Sequence, residues 1–201
     1  MNSAKIHLSA DELLLVKNGE WILTKNLIIG KVYALFGTLA EHLQNQINGS
    51  DLPGQIGIIS AKISKGENYN GLPYVMLDCP RLFTQQNVFS IRTFFWWGNY
   101  FSVTLHLKGE FQQIFEEAIK KKIHLLAKNE FFISFAGNEW EHDLRSPNYF
   151  LLRKTRGNEL EKYFAELEFL KLAAKVDFSK WDNSEKDLLK LYEVIHQSLR
   201  H

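Results

Sequence analysis

The chain has 201 residues with 24 basic and 23 acidic side chains, long enough to bury a core without staples. Its formal net charge of +1 gives no global field to draw in nucleic acid or an anionic membrane surface, so neither partner is expected. A lone Cys79 excludes an intramolecular disulfide, and the start MNSAKIHLSADE lacks the basic-then-apolar order of a secretory signal; a cytoplasmic location is expected.

In chain order, Ser9-Ala10-Asp11-Glu12 has the form of a capping box, and a short helix is predicted from it through Leu13 to Val16. A longer helix is predicted from Lys25 to Ile47, with Ile28, Val32, Leu35, Phe36, Leu39 and Leu43 on one stripe. Gly30, Ala34, Gly37 and Thr38 on its side suggest a tightly crossed neighbour. The tract LIIGKVYALFGTLA is interrupted by Lys31, and FFWW is far shorter than the roughly 20 residues that span a bilayer, so no transmembrane helix is predicted. Asn48-Gly49-Ser50 reads as a turn.

From Ile56 the period changes. IISAKIS, the polar loop KGENYNG and LPYVMLD read as a hairpin, with Pro80 ending its second strand. VFSIRTFFWW and YFSVTLHLK form a second hairpin through Gly98-Asn99. A helix follows from Glu110 to Ile123, then strands at EFFISF and NYFLLRK, then helices near Glu159 to Lys175 and from Ser184 to Leu199, the last opened by the capping pattern Ser184 to Asp187. The order predicts one α+β domain over 1–201: a helical lead-in over 1–50, a sheet with one inserted helix over 51–154, and C-terminal helices over 155–201. The sheet is expected to be mainly antiparallel, about six strands in two hairpins and two later strands, with both sets of helices packed on it.

The tryptophan hairpin is the most informative segment. With a two-residue loop, Trp97 faces Tyr100, and Ser90, Arg92, Phe94 and Trp96 share a core face with Phe101, Val103, Leu105 and Leu107. Arg92 on that face needs an acceptor for its donors, and Asp78 on the neighbouring strand is the candidate. The opposite face then carries Thr93, Trp97, Tyr100, Thr104 and His106, a mixture of aromatic, hydroxyl and imidazole groups suited to a ligand pocket or to a half-solvated surface. Arg92 joins this set as an anion anchor if the faces are reversed, as a three-residue turn would do. A sheet covered on both faces would use the whole segment as core.

Glu139, His142 and Asp143, with Glu141, cluster in the loop GNEWEHDLR. They could serve as acid and base, or form a charged, solvated turn anchored by Trp140. Cys79 beside Pro80 lacks the arginine six positions on that a phosphate-cradling loop requires, and reads as a small buried apolar residue. Lys120 to Lys122 reads as a solvated helix face. Phosphate-binding glycine loops, dinucleotide fingerprints, nucleophile elbows and zinc motifs are absent from the sequence, and neither metal nor cofactor is expected. Three functional classes follow. The first is a domain binding a small molecule or peptide on the aromatic sheet. The second is an interaction or homo-oligomerisation module, and the third is an enzyme using His106 or the Glu139/His142/Asp143 loop as acid and base.

Overall fold

The computed structural model describes residues 6–47, 53, 56, 59–134, 137–155, 157–166 and 168–200. Asn48-Gly49-Ser50 lies outside them. The capping box forms: the Ser9 amide donates to Glu12 Oε2, and the Glu12 amide to Ser9 Oγ. It opens α1 (Ala10–Lys17), none of whose residues is buried. α2 (Gly19–Ile47) starts six residues before the prediction and buries Ile29, Val32, Phe36, Leu39 and Leu43. By length and composition α2 could cross a membrane, yet that stripe is packed on the sheet. Among the described residues there is no tightly crossed neighbour, because none approaches within 4 Å of a Cβ placed on Gly30 or Gly37.

Among the described residues seven strands, all antiparallel, form one sheet in the order β1-β2-β3-β4-β7-β5-β6. They are β1 (Lys62–Tyr69), β2 (Leu72–Phe83), β3 (Val88–Trp96), β4 (Tyr100–Lys108), β5 (Phe132–Ser134), β6 (Phe150–Leu151) and β7 (Leu170–Asp177). The polar stretch KGENY is strand rather than loop, because its backbone pairs with β2 up to the Asn70-Gly71 turn, where both residues have positive φ. Pro80 does not end β2. The register with β3 shifts between Asp78 and Arg81, and this irregularity accommodates a residue that cannot donate to the ladder.

The seventh strand comes from the segment expected to be a helix to Lys175. The helix stops early, as α5 (Gly157–Ala165). In LKLAAKVD the alternation Leu170, Leu172, Ala174, Val176 matches a strand and faces the main core. The Glu110 helix divides into α3 (Glu110–Lys121) and α4 (Ile123–Lys128). α6 (Ser184–Ser198) follows a 3-10 turn, Phe178–Asn183; its N-cap is Asn183, which makes no side-chain cap, and Ser184 is buried instead.

α2 to α6 pack against one face of the sheet, over Phe89, Ile91, Phe95, Phe101, Val103, Leu105 and Leu107. A second, smaller cluster of Phe94, Trp96, Tyr100, Leu144, Tyr149 and Ala173 lies on the other face beneath the loop that follows β5.

Two glycines make opposite predictions. Gly30→Ala, exposed in a helix interior with space around it, should stabilise the fold by about 1 kcal/mol. Gly109 has φ +64°, and a Cβ there would meet the Asn87 side chain and the Gln86 carbonyl, so Gly109→Ala should destabilise by about 1–3 kcal/mol. Urea midpoints of the two variants check both signs.

Candidate functional site

The turn of the tryptophan hairpin decides which residues meet. Trp96 pairs with Tyr100 and Thr93 with Val103, so the loop is Trp97-Gly98-Asn99, one residue longer than expected, with Gly98 at φ 71°. The Trp97 amide donates to the Pro73 carbonyl on β2 instead of pairing across the hairpin. Every partner on β4 moves by one residue. Ser90, Arg92, Phe94 and Trp96 therefore share a face with His106, Thr104, Ser102 and Tyr100, and Thr93 and Trp97 lie on the opposite, helical face. Of the expected pocket, Arg92, Tyr100, Thr104 and His106 come together. Thr93 hydrogen-bonds Tyr192 of α6 at 2.8 Å, and Trp97 stands edge-on to Trp21 of α2.

The register builds this face in rows. Asp78, Arg92, Thr104 and Ala173 lie level on β2, β3, β4 and β7; the next row is Ser90, His106, Lys171 and Ser134. The irregularity at Pro80 switches parity, so Phe83, opposite Val88, joins the same face, and Arg92 lies over its ring.

Arg92 meets Asp78 as the sequence suggested: Nε donates to Oδ1 at 2.7 Å and Nη2 to Oδ2 at 3.1 Å, while Ser90 Oγ donates to Oδ1 at 3.3 Å. Its remaining nitrogen, Nη1, lies 3.0 Å from His142 Nε2. A guanidinium only donates, so Nε2 accepts and His142 carries its proton on Nδ1. Burial, with Lys171 and Arg92 nearby, holds the His142 pKa well below its ordinary value, in keeping with a neutral ring. That ring stacks on Phe94 at 4.9 Å.

The loop 137–149 is not the solvated turn that its charges suggest. Tyr69 Oη accepts from the amides of His142 and Asp143; Tyr100 Oη accepts from the Leu144 amide and donates to the His142 carbonyl. Tyr149 Oη donates to the Glu141 carbonyl, and Lys171 Nζ donates to the carbonyls of Glu139 and Glu141. Asp143 turns outward to Arg145 and takes no part in the buried cluster. Lys171 is 1% exposed, and burial, reinforced by Arg92 and opposed by Glu141 and Glu139, brings its pKa down to about 7. Sequence reasoning missed it because its segment carries a helical stripe.

Glu139 reaches back to the sheet, where Lys108 Nζ donates to Oε1 at 2.8 Å. Its Oε2 lies 3.2 Å from His106 Nε2 without hydrogen-bond alignment. Burial, then Lys171, Arg92 and Lys108, push the His106 pKa down to about 3, so the carboxylate faces a neutral imidazole. His106 Nε2, Glu139 Oε2 and His142 Nδ1 are buried with no hydrogen-bond partner among the described residues. Phe83 and Trp140, two exposed aromatic rings 6.1 Å apart, stand beside them, Trp140 edge-on to His106.

Cys79 is buried on the helical side, and burial pushes its thiol up to about 11, which removes nucleophilic character at neutral pH. Among the described residues, no three His, Cys, Asp or Glu side chains are grouped to hold a metal ion. Lys120 is paired with Glu116 and Glu117.

The buried pair and the buried histidines each make a prediction. Arg92→Met leaves Asp78 uncompensated and should cost about 3–5 kcal/mol in urea unfolding; adding Asp78→Leu should recover most of it. For His106 the folded pKa lies below the unfolded value, so the unfolded chain binds the proton first. Stability should fall as pH drops from 6.5 towards 3, and His142 has the same sign. His106→Gln should flatten that slope in urea midpoints measured across the window. Comparisons with family models, curated proteins and solved structures find no match to this chain, so the reading of the site rests on its geometry.

Proposed function

We propose that the protein binds a small polar molecule between the sheet face bearing Arg92, Thr104, His106 and Lys171 and the loop 137–149, entering beside Phe83 and Trp140. The observation that carries this reading is a set of buried polar atoms whose hydrogen bonds are not made, His142 Nδ1 and the misaligned pair of His106 Nε2 and Glu139 Oε2, next to two exposed rings. Buried polar groups without partners are uncommon in folded proteins and each calls for a reason. A site with few convergent polar groups and aromatic walls is the usual form of a small-molecule site.

The chemistry narrows the ligand class. Glu139 Oε2 only accepts, and Arg92 is already occupied by Asp78 and His142. Glu139 Oε2 needs a donor and the His142 Nδ1–H needs an acceptor, so the available groups favour a ligand that does both, as a hydroxyl group can, and that offers an apolar edge to Trp140. Arg92 acts by holding Asp78 and His142 in place rather than as an anion anchor. A second reading, acid and base catalysis by the His106 and Glu139 pair, is favoured by their 3.2 Å approach and would use the same ligand class as substrate.

Native mass spectrometry of freshly purified protein, with the denatured mass as reference, tests the capture of a ligand. A small extra mass lost on denaturation, and absent from Glu139→Gln, is the expected result. In parallel, the ring signals of His106 and His142 are followed by NMR while glucose, inositol and ethanolamine are added. A bare chain whose histidine signals do not move with any of the three would overturn the proposal.

A further inference from the structure

Ten of the thirteen exposed large apolar side chains among the described residues fall between Ile6 and Leu27. They cover α1 and the first turns of α2, ahead of Ile29, where α2 begins to bury its stripe. Together they expose on the order of 1,000 Å² of apolar surface around the arm, most of which a partner would have to cover to approach the ~800 Å² per partner of a stable interface.

We infer that this arm is a two-fold interface with a second copy of the same chain, α1 packing antiparallel on α1 of the partner about an axis near Leu14. Three observations select that occupant. First, Leu13, Leu14, Leu15 and Val16 are consecutive and all exposed. At about 100° per residue they girdle the helix instead of forming one stripe, whereas a helix lying in a lipid surface keeps a strongly polar face. Second, α1 has 8 residues and is about 12 Å long, far short of the ~30 Å hydrocarbon layer, and α2, which is long enough to span it, keeps its stripe from Ile29 to Leu43 packed on the sheet.

Third, the charges are arranged for self-pairing. α1 reads acid, apolar, base: Asp11 and Glu12 in the first turn, Leu13 to Val16 in the middle, Lys17 in the last turn. An antiparallel pair about Leu14 sets Asp11 level with the partner's Lys17, and does so twice by symmetry. The first turns of α2 repeat the order in Glu20, Trp21 to Leu23 and Lys25, but Lys25 is already paired with Glu67 of its own chain, so the self-pairing charges are those of α1. A self-complementary patch of this kind is what an isologous dimer requires. Because Asp11 and Glu12 balance Lys17 to within one charge, α1 offers little to an acidic or basic partner.

The test is sedimentation velocity on the full chain over a wide concentration range. The expected result is a monomer–dimer equilibrium in which Leu14→Glu weakens association by at least roughly tenfold, because two carboxylates would meet at the apolar axis. Since α1 contains no buried residue, the variant's circular dichroism should be unchanged. Asp11→Lys/Glu12→Lys and Lys17→Glu should each associate less well alone and recover when mixed. A wild-type chain that stays monomeric, or a dimer indifferent to Leu14→Glu, overturns the inference. A monomer that floats with phosphatidylcholine vesicles overturns it too, and assigns the arm to a lipid surface.

Discussion

A guanidinium at the centre of an apolar strand must have its donors matched, and the organisation of the polar face follows from how Arg92 meets that requirement. Two of its nitrogens take both oxygens of Asp78, and the third takes His142 Nε2. The first contact crosses from β3 to β2; the second reaches a loop that lies 50 residues further along the chain. One side chain thereby fixes strand register, loop position and histidine tautomer together. A buried ion pair of this kind is weak evidence for stability, since an apolar replacement of equal volume often does as well. Its contribution here is specificity: any other register leaves a charge without a partner.

The loop then completes what Arg92 begins. Three tyrosine hydroxyls, from Tyr69, Tyr100 and Tyr149, take up loop amides and carbonyls, and Lys171 takes the Glu139 carbonyl and shares that of Glu141 with Tyr149. Irregular backbone can lie over a sheet only if its polar groups are satisfied in this way. The same hydrogen bonds hold Glu139 and His142 against the sheet. Burial that comes with this anchoring keeps both histidines neutral and Lys171 poised near neutrality.

Much of this was legible before any coordinates. The alternation of VFSIRTFFWW and YFSVTLHLK identifies the central hairpin, and the isolated charge in it points to Asp78 as its partner. What was not legible depended on single-residue shifts. One extra residue in the turn at Trp97 exchanges the faces of β4, bringing Arg92 to Tyr100, Thr104 and His106 and sending Thr93 and Trp97 away. The irregularity near Pro80 does the same for β2 and delivers Phe83 to the polar face. A period of two has no tolerance for such shifts, whereas a helical stripe is broad enough to absorb them. Lys171 was lost to the opposite error, since Leu160, Phe164 and Ala174 fit a helix until the loop ahead of Leu170 breaks it.

The two surfaces that stand out are at opposite ends of the same strands. Phe83, Val88 and Lys108 mark the end beside Trp140, and Trp97, held edge-on to Trp21 of α2, marks the other. Eight residue steps along β3 separate Val88 from Trp96, about 26 Å at ~3.3 Å per step. A second copy docked on the arm would therefore leave the mouth at Phe83 and Trp140 open, and a ligand there would not have to cross the interface. What links the ends is β3 itself, which carries Arg92 on one face and Thr93, bonded to Tyr192, on the other. β2 links the ends as well, since α2 packs on it and it runs on to Phe83. The two surfaces therefore lie at opposite ends of one sheet, so that a partner on the arm and a ligand at the loop, as proposed, would not compete for the same residues.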